Sequence, residues 1–261
     1  MLGDEADEAD IAGLYARALV HRHRRRLYVT ALRRRREWNP SIELIGLERL
    51  ERALAGQHGA ILWFDNFTHF SIIGKRAFAK AGYALWQLSS RDHGFSATRY
   101  GVRFLNPRQI GLELSYLAGR IAFTNRSVIA ATRRLVEILA DNGIMSITNN
   151  ANIGKSTTIP FGKSGRLSIA TAPFNLATSR GVALLPVSVI EVEPLARYRV
   201  TIGPEIVGTA TGSERDAQSA MEAEYVDYLM PLVCAYPDQW LGWRAAGSAI
   251  GRDRDAEQGA P

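Results

Sequence analysis

The chain has 261 residues, 46% of them hydrophobic, and this length and composition are enough for one large α/β domain with a sizeable core. Its formal net charge is +6. The single cysteine, Cys234, excludes an intramolecular disulfide framework and a cysteine-rich zinc module. No apolar run reaches the roughly 18 residues of a membrane span, and the acidic start MLGDEADEAD is unlike a secretory or transit peptide, so we expect a cytoplasmic protein.

An arginine-rich helix is predicted in the N-terminal segment, residues 1–40. Eight arginines lie between Arg22 and Arg36, and apolar residues accompany them at helical spacing: Ile11, Leu14, Tyr15, Leu19, Leu27, Tyr28 and Leu32. We expect this helix to lie on an anionic membrane surface or to bind an acidic carrier protein; a merely solvated helix is the alternative. Nucleic acid is not an expected partner, since no recognition fold accompanies the arginines.

Strands and helices are predicted to alternate through residues 41–245. In chain order, the strands are SIELIG, GAILWF, YALWQLS, IAFT, IMSIT, VALLPVSVIE and RYRVTIGPEI. The helices are LERLERALAG, one that begins near Asn66, PRQIGLELSYLAGR, SVIAATRRLVEILADNG, IATAPFNLATSRG and a last one from about Ser213 to Ala235. This order favours an α/β, three-layer-like sandwich with a mostly parallel central sheet flanked by helices. Residues 246–261 are predicted to be a disordered tail.

Four segments occur in an order typical of one superfamily. They are IELIGLERLERALAGQHGAILWF, SVIAATRRLVEILADNGIMSITNN, STTIPFGKSGRLSIATAPFNLATSRGVALLPVSV and YPDQWLGWR. In this order the chain resembles the lysophospholipid acyltransferase superfamily and, within it, the bacterial lipid A lauroyl/myristoyl acyltransferases. The resemblance covers roughly Ile42 to Arg244 and implies an acyltransferase-like fold.

The resemblance also implies a reaction. Members of the superfamily transfer an acyl chain from a thioester to a hydroxyl, with a His-x4-Asp/Glu motif at a strand-to-helix junction. On this sequence the histidine position falls on Asn66, the acid position on Ser71, and a second conserved polar pair on Asn149 and Asn150. None of these side chains is a general base near neutral pH. A catalytically inactive lipid-binding or accessory protein on the same fold is therefore the alternative to an enzyme.

Two histidines are candidates for a relocated base. Asp65 and His69 are four residues apart and on a helix would share a face, so that the carboxylate orients the imidazole. The other interpretation makes His69 a partly buried helical residue and Asp65 a helix N-cap. In the loop SRDHGFSATRYG, His93 follows Asp92 and is the second candidate base; a solvated loop histidine is its alternative.

Cationic and polar residues are candidates for binding a phosphorylated or carboxylated acceptor. They are Ser96, Arg99, Arg103, Arg120, Lys163 and Arg166, together with the neutral residues Asn66, Ser71 and Asn149. Surface charges without a ligand are the alternative for each cation.

The expected function is transfer of a fatty acyl chain from an acyl carrier protein or acyl-CoA to a hydroxyl or amine. The acceptor is a lipid or lipid-like molecule, and the enzyme is peripheral to the cytoplasmic face of the inner membrane. No cofactor is expected beyond the acyl thioester, which is a co-substrate. No metal is expected either, because the five histidines are scattered and form no His-x3-His pair.

Overall fold

The computed structural model describes residues 8–35, 38–90, 94, 98–123, 127–149, 155–163, 165–208 and 213–243. Its helices are α1 (Glu8–Arg35), α2 (Leu47–Ala55), α3 (Lys75–Lys80), α4 (Asn106–Leu114), α5 (Val128–Ala140), α6 (Ala172–Arg180) and α7 (Glu214–Ala235). Its strands are β1 (Ser41–Ile45), β2 (Ala60–Phe64), β3 (Leu85–Ser90), β4 (Gly119–Phe123), β5 (Ile144–Thr148), β6 (Ser156–Phe161), β7 (Gly165–Ala170), β8 (Ala183–Glu193) and β9 (Arg197–Ile202). Two π-helical segments, Phe70–Gly74 and Gly101–Leu105, lead into α3 and α4.

A mostly parallel sheet forms the centre of the molecule. Among the described residues it has seven strands, in the order β1-β9-β8-β2-β5-β3-β4, and only the β8–β9 pair is antiparallel. Strand β2 is central and all five of its residues are buried, as expected of a parallel strand covered on both faces. The predicted α/β fold with helices on a mostly parallel sheet is confirmed.

The two faces of the sheet carry separate cores. Ile61 and Trp63 of β2 contribute to one core, with α5, α6 and α7, while Leu62 and Phe64 contribute to the other, with α2 and α3. The alternation follows from the two-residue period of a strand. Trp63 is therefore placed against α7, at the edge where the candidate site lies.

An antiparallel hairpin lies outside the main sheet. Strands β6 and β7 pair with each other, with Thr158 opposite Ser168. The predicted helix IATAPFNLATSRG begins too early, because Ile169 and Ala170 are buried in β7 and the helix starts at Ala172. The apolar pair Ile169-Ala170 could belong to a strand or to a helix, and its pairing with β6 places it in a strand.

Helix α1 packs on the domain by a narrow part of its surface. Tyr28 and Val29 are buried with Ile72, and the Tyr28 ring stacks on Trp38 at 4.9 Å between centroids. Much of the predicted apolar stripe faces outward instead, since Ile11, Tyr15 and Leu27 are all more than half exposed. No described helix contains an apolar stretch long enough to cross a membrane.

Helix formation after β2 begins later than the sequence indicates. The predicted start is Asn66, but the backbone is irregular until Phe70. Three backbone contacts with the C-terminal segment hold this stretch out of a helix. Leu241 N donates to Asn66 O at 2.8 Å, Thr68 N donates to Gln239 O at 2.8 Å, and Phe67 forms an isolated β-bridge with Trp240.

The N-terminus of α7 carries a full capping box, as its predicted start near Ser213 suggests. Asp216 N donates to Ser213 Oγ at 3.3 Å, and Ser213 N donates to Asp216 Oδ2 at 2.9 Å. We expect Ser213→Ala to lower the free energy of unfolding by about 1 kcal/mol, because one helix N–H loses its acceptor.

The matched control for this change is Ser219→Ala, at an exposed position inside the same helix where alanine is favoured. Urea unfolding monitored by circular dichroism measures both variants. Equal effects would contradict a stabilising role for the cap.

Candidate active site

Polar residues gather at the carboxyl edge of the central strands. Asp65 follows β2 directly, and Asn149 follows β5, the neighbouring parallel strand. Asp65 N donates to Val187 O of β8 at 2.9 Å, and Asn149 N donates to Phe64 O at 2.9 Å, so backbone bonds fix both positions. Ligands of open parallel sheets bind at this edge, which makes it the first place to look for chemistry.

A buried chain of hydrogen bonds connects Asp65 to α7. Tyr225 Oη donates to Asp65 Oδ1 at 2.8 Å, and Asn149 Nδ2 donates to Tyr225 Oη at 2.7 Å. The Tyr225 ring stacks on Trp63 with centroids 4.2 Å apart, which fixes the phenol in place. Within the described part of the chain, Asp65 Oδ2 has no hydrogen-bond partner. Tyr225 thus orients the carboxyl group through Oδ1, and the buried phenol of Tyr228 acts on the same carboxyl without completing a hydrogen bond to Oδ2.

Burial changes the acidity of this carboxyl. Asp65 has no exposed surface, and this burial raises its pKa to about 8, against the opposing effect of the phenols of Tyr225 and Tyr228. Burial together with the adjacent Asp65 also raises the pKa of Tyr225, which stays a phenol and a donor. An aspartate with a pKa raised to about 8 is a stronger base than an ordinary aspartate, and it becomes a carboxylate able to accept a proton as the pH rises toward 8.

His69 occupies a different environment from Asp65. It is fully buried beneath α1, and its Nε2 lies 3.4 Å from His21 Nδ1 and 3.8 Å from Glu191 Oε2. Burial lowers the pKa of His69 to about 3, with Glu191 opposing the shift. The rings of Tyr28 and Tyr198 pack against it, at 5.6 and 5.3 Å between centroids.

The predicted pairing of Asp65 with His69 on one helical face is wrong, because the helix starts only at Phe70. The alternative of Asp65 as an N-cap is also wrong, because His69 occupies the N-cap position and makes no side-chain capping bond. The catalytic role of His69 stays a prediction, which its low pKa does not favour.

Glu191 organises the polar cluster around His69. One carboxylate oxygen, Oε1, accepts from Tyr198 Oη at 3.0 Å and from Leu195 N at 2.9 Å. The other, Oε2, lies 2.9 Å from Arg24 Nη1 and 3.1 Å from His21 Nδ1. Burial acts to raise the pKa of Glu191, but the two histidines and these hydrogen bonds outweigh it and lower the pKa to about 2. The lowered pKa favours the carboxylate form of Glu191. The atoms of His21, His69 and Glu191 that can bind a metal lie within 4.8 Å of one another.

The two positions of the superfamily's motif hold neutral side chains with structural contacts. Asn66 is partly exposed beside Asp65. Ser71 is buried, and Arg25 Nη2 donates to its Oγ at 3.3 Å. An arginine from α1 therefore fills the space next to the position of the motif's acid.

A second buried polar cluster lies behind Ser71. Lys75 Nζ and Glu113 form a buried ion pair, and Gln109 Nε2 donates to Glu113 Oε1 at 2.6 Å. Arg120, a candidate for acceptor binding, donates through Nε to Ser89 Oγ at 2.6 Å and through Nη2 to Ser90 O at 2.5 Å. Its guanidinium is thus engaged by the end of β3.

The other candidate binding residues are spread over the surface or lie outside the described residues. Arg99 and Arg103 line an open groove of about 470 Å³ with Tyr100 and Phe104. Lys163 and Arg166 are exposed on the β6–β7 hairpin, outside the main sheet. Residues outside the described part of the chain are Asp92, His93, Ser96 and Asn150. Their predicted roles stay predictions.

Sequence reasoning missed three functional candidates: His21, Glu191 and Tyr225. Two of them had a usable signal. Glu191 is a carboxylate in the otherwise apolar strand VALLPVSVIE, where an unpaired charge is not tolerated. Tyr225 lies in helical register with the buried residues Met221 and Leu229, and a buried phenol needs a partner.

Comparison with known proteins gives a distant structural similarity. No family model matches the chain, and no curated protein matches it. Among solved structures, the chain is similar to the 1-acyl-sn-glycerophosphate (LPA) acyltransferase PlsC of Thermotoga maritima, with 16% sequence identity and a TM-score of 0.42. The match covers 83% of this chain and 79% of that chain. A similarity of this size leaves the activity to be argued from the site, and membership of the lipid A branch stays a prediction.

Proposed function

We propose that the protein is an acyltransferase in which Asp65 is the general base. It moves a fatty acyl chain from an acyl carrier protein or acyl-CoA thioester to a hydroxyl or amine of a lipid-like acceptor. The observation that carries the proposal is the Asp65 carboxyl, which lies at the carboxyl edge of β2 with a pKa near 8 and with no hydrogen bond to Oδ2 among the described residues. The order of the sequence motifs supports acyl transfer as the reaction.

The proposed reaction needs one base and one acid in sequence. Asp65 Oδ2 takes the proton of the acceptor hydroxyl as its oxygen attacks the thioester carbonyl carbon. The tetrahedral intermediate then breaks its carbon–sulfur bond, and the leaving thiolate takes the proton back from Asp65. Tyr225, held by Asn149, keeps the carboxyl oriented throughout. Because Asp65 has no exposed surface, acceptor binding must open this edge of the sheet.

The first experiment looks for a product and for its pH dependence. Purified protein is incubated with acyl carrier protein thioesters, acyl-CoAs and a lipid extract, and acylated lipids are identified by mass spectrometry. With the productive pair, we expect the rate to rise with pH and to level off above about 8, because only the carboxylate form of Asp65 accepts a proton. A rate that is flat from pH 6 to pH 9 would contradict Asp65 as the base.

The membrane is the proposed location of the reaction. Helix α1 supports this with its outward side, which combines Arg26 with the exposed residues Ile11, Tyr15 and Leu27. Arg24 and Arg25 instead turn inward, to Glu191 and Ser71, so fewer arginines are free for lipid than the sequence indicates. Apolar insertion beside basic residues is the usual way for such helices to bind anionic bilayers.

We expect the Tyr15→Ser/Leu27→Ser double variant to lose flotation with vesicles that contain anionic phospholipid. Each change removes an apolar side chain that would enter the bilayer, and neither side chain is buried in the protein. The control is Ile129→Ser, which changes a more exposed apolar residue on α5. If the control loses as much flotation as the double variant, α1 is not the membrane-binding surface.

A non-catalytic lipid-binding protein is the second candidate. It is favoured by the neutral residues Asn66 and Ser71 at the motif positions and by the guanidinium of Arg25 beside Ser71. In the experiment above, consumption of no donor across the whole panel, combined with flotation on anionic vesicles, would establish this alternative.

A further inference from the structure

Three ligand-type atoms converge beneath helix α1, apart from the residues of the proposed reaction. They are His21 Nδ1 of α1, His69 Nε2 ahead of the first π-helical segment, and Glu191 Oε2 of β8. All three side chains are buried. The three residues are far apart in the sequence, so no motif of regular spacing predicts that they form a cluster.

The distances within the cluster suit a shared cation better than direct hydrogen bonds. Only the 3.1 Å contact between His21 Nδ1 and Glu191 Oε2 has ordinary hydrogen-bond length. The His21–His69 contact is 3.4 Å and the His69–Glu191 contact is 3.8 Å, both long for a hydrogen bond. A point equidistant from the three atoms lies about 2.0 Å from each, the length of zinc bonds to imidazole nitrogen and carboxylate oxygen.

The surroundings orient two of the three ligands as metal sites usually do. His21 Nε2, on the far side of the ring, lies 3.5 Å from Asp238 Oδ2, so that a metal on Nδ1 would leave the ring proton on Nε2, facing this carboxylate. Glu191 Oε1 accepts from Tyr198 and Leu195, which leaves Oε2 for the cation. Arg24 also lies on Oε2, at 2.9 Å, and its side chain is 27% exposed, so metal binding would require the guanidinium to move away from this oxygen.

We propose that His21, His69 and Glu191 form a binding site for a divalent transition metal of the zinc class. Two imidazoles and one carboxylate are a common zinc ligand set that leaves one coordination position for another ligand. The metal would join α1 to β8 and to the segment after β2, and thereby hold the helix on the domain. This inference is independent of acyl transfer.

Metal binding is tested on tag-free protein that has been stripped with a chelator. We expect wild type to take up one Zn²⁺ per chain in competition with a chromophoric chelator, and His21→Asn to bind at least about 100-fold more weakly. The control is His23→Asn, two positions along the same helix and exposed, which should bind like wild type. Equal affinity of wild type and His21→Asn, or an equal loss in both variants, would overturn the proposal.

Two measurements on wild type guard against a variant that fails to fold. X-ray absorption of the zinc-loaded protein should show scattering from two imidazoles, and zinc should raise the melting temperature of wild type and of His23→Asn. Absence of imidazole scattering, or a melting temperature that zinc leaves unchanged in wild type, would overturn the proposal.

Discussion

Replacing Asp65 by asparagine is expected to lower the rate of acyl transfer by about 100-fold or more, the usual contribution of a general base. Asparagine has the shape of the protonated aspartate and keeps an oxygen for the Tyr225 hydroxyl, so the fold should persist. The measurement is the rate with the productive donor–acceptor pair at pH 8. The control is Asp141→Asn, an exposed aspartate at the end of α5, which should keep the wild-type rate. Full activity in Asp65→Asn would exclude Asp65 as the base.

Stability against pH gives an independent check on Asp65. A carboxyl whose pKa is raised to about 8 in the folded state holds its proton more tightly there than in the unfolded chain. Its contribution to stability is therefore complete below about pH 4 and is lost as pH rises toward 8, by up to about 1.4 kcal/mol per pH unit. Asp65→Asn lacks this loss. The free energy of unfolding of Asp65→Asn, measured in urea, should therefore increase relative to that of wild type as the pH is raised from 5 to 8.

The same experiment separates a catalytic from a structural Asp65. If the pKa is ordinary, the stability difference between variant and wild type does not change over this pH range. If Asp65 is a buried catalytic carboxyl, Asp65→Asn should be inactive in acyl transfer and, at pH 8, more stable than wild type. Such a trade of stability for activity is common at active sites.

The sheet was predictable because its signals are local. GAILWF and VALLPVSVIE are apolar runs of strand length, and the structure places both at the centre of the sheet as β2 and β8. The start of α7 was predictable from Ser213, because a cap acts on the next turn only. Elements of this kind depend on neighbours in the chain, which a single sequence displays.

The site was less predictable because its contacts are distant. The segment from Asn66 to Thr68 would suit the start of a helix, but backbone pairing with residues 239–241 prevents it. His69 was placed beside Asp65 by spacing, whereas its actual neighbours, His21 and Glu191, come from the first helix and a late strand. A single sequence does not specify which distant residues come into contact, so the side chains that surround His69 could not be predicted from it.

The second large effect is expected at the buried ion pair of Lys75 and Glu113. Both side chains are almost completely buried, and burial lowers the pKa of Lys75 while Glu113 opposes the shift. Lys75→Met leaves a buried carboxylate with less positive charge around it. We expect Lys75→Met to lower the free energy of unfolding by about 3 kcal/mol, which is near the lower limit for breaking a buried ion pair. The loss is limited because the charge of Arg25 and the hydrogen bond from Gln109 still stabilise the Glu113 carboxylate.

The double variant Lys75→Met/Glu113→Leu distinguishes loss of a pair from loss of packing. With both charges of the pair removed, neither Lys75 nor Glu113 remains as a lone buried ion, so the double variant should be more stable than Lys75→Met. The matched control is Arg134→Met, which breaks an ion pair to Glu137 with both side chains about half exposed and should cost less than about 1 kcal/mol. Urea unfolding at pH 7 measures all three. A double variant less stable than the single one would show that Glu113 stabilises the fold through its other contacts, not through Lys75.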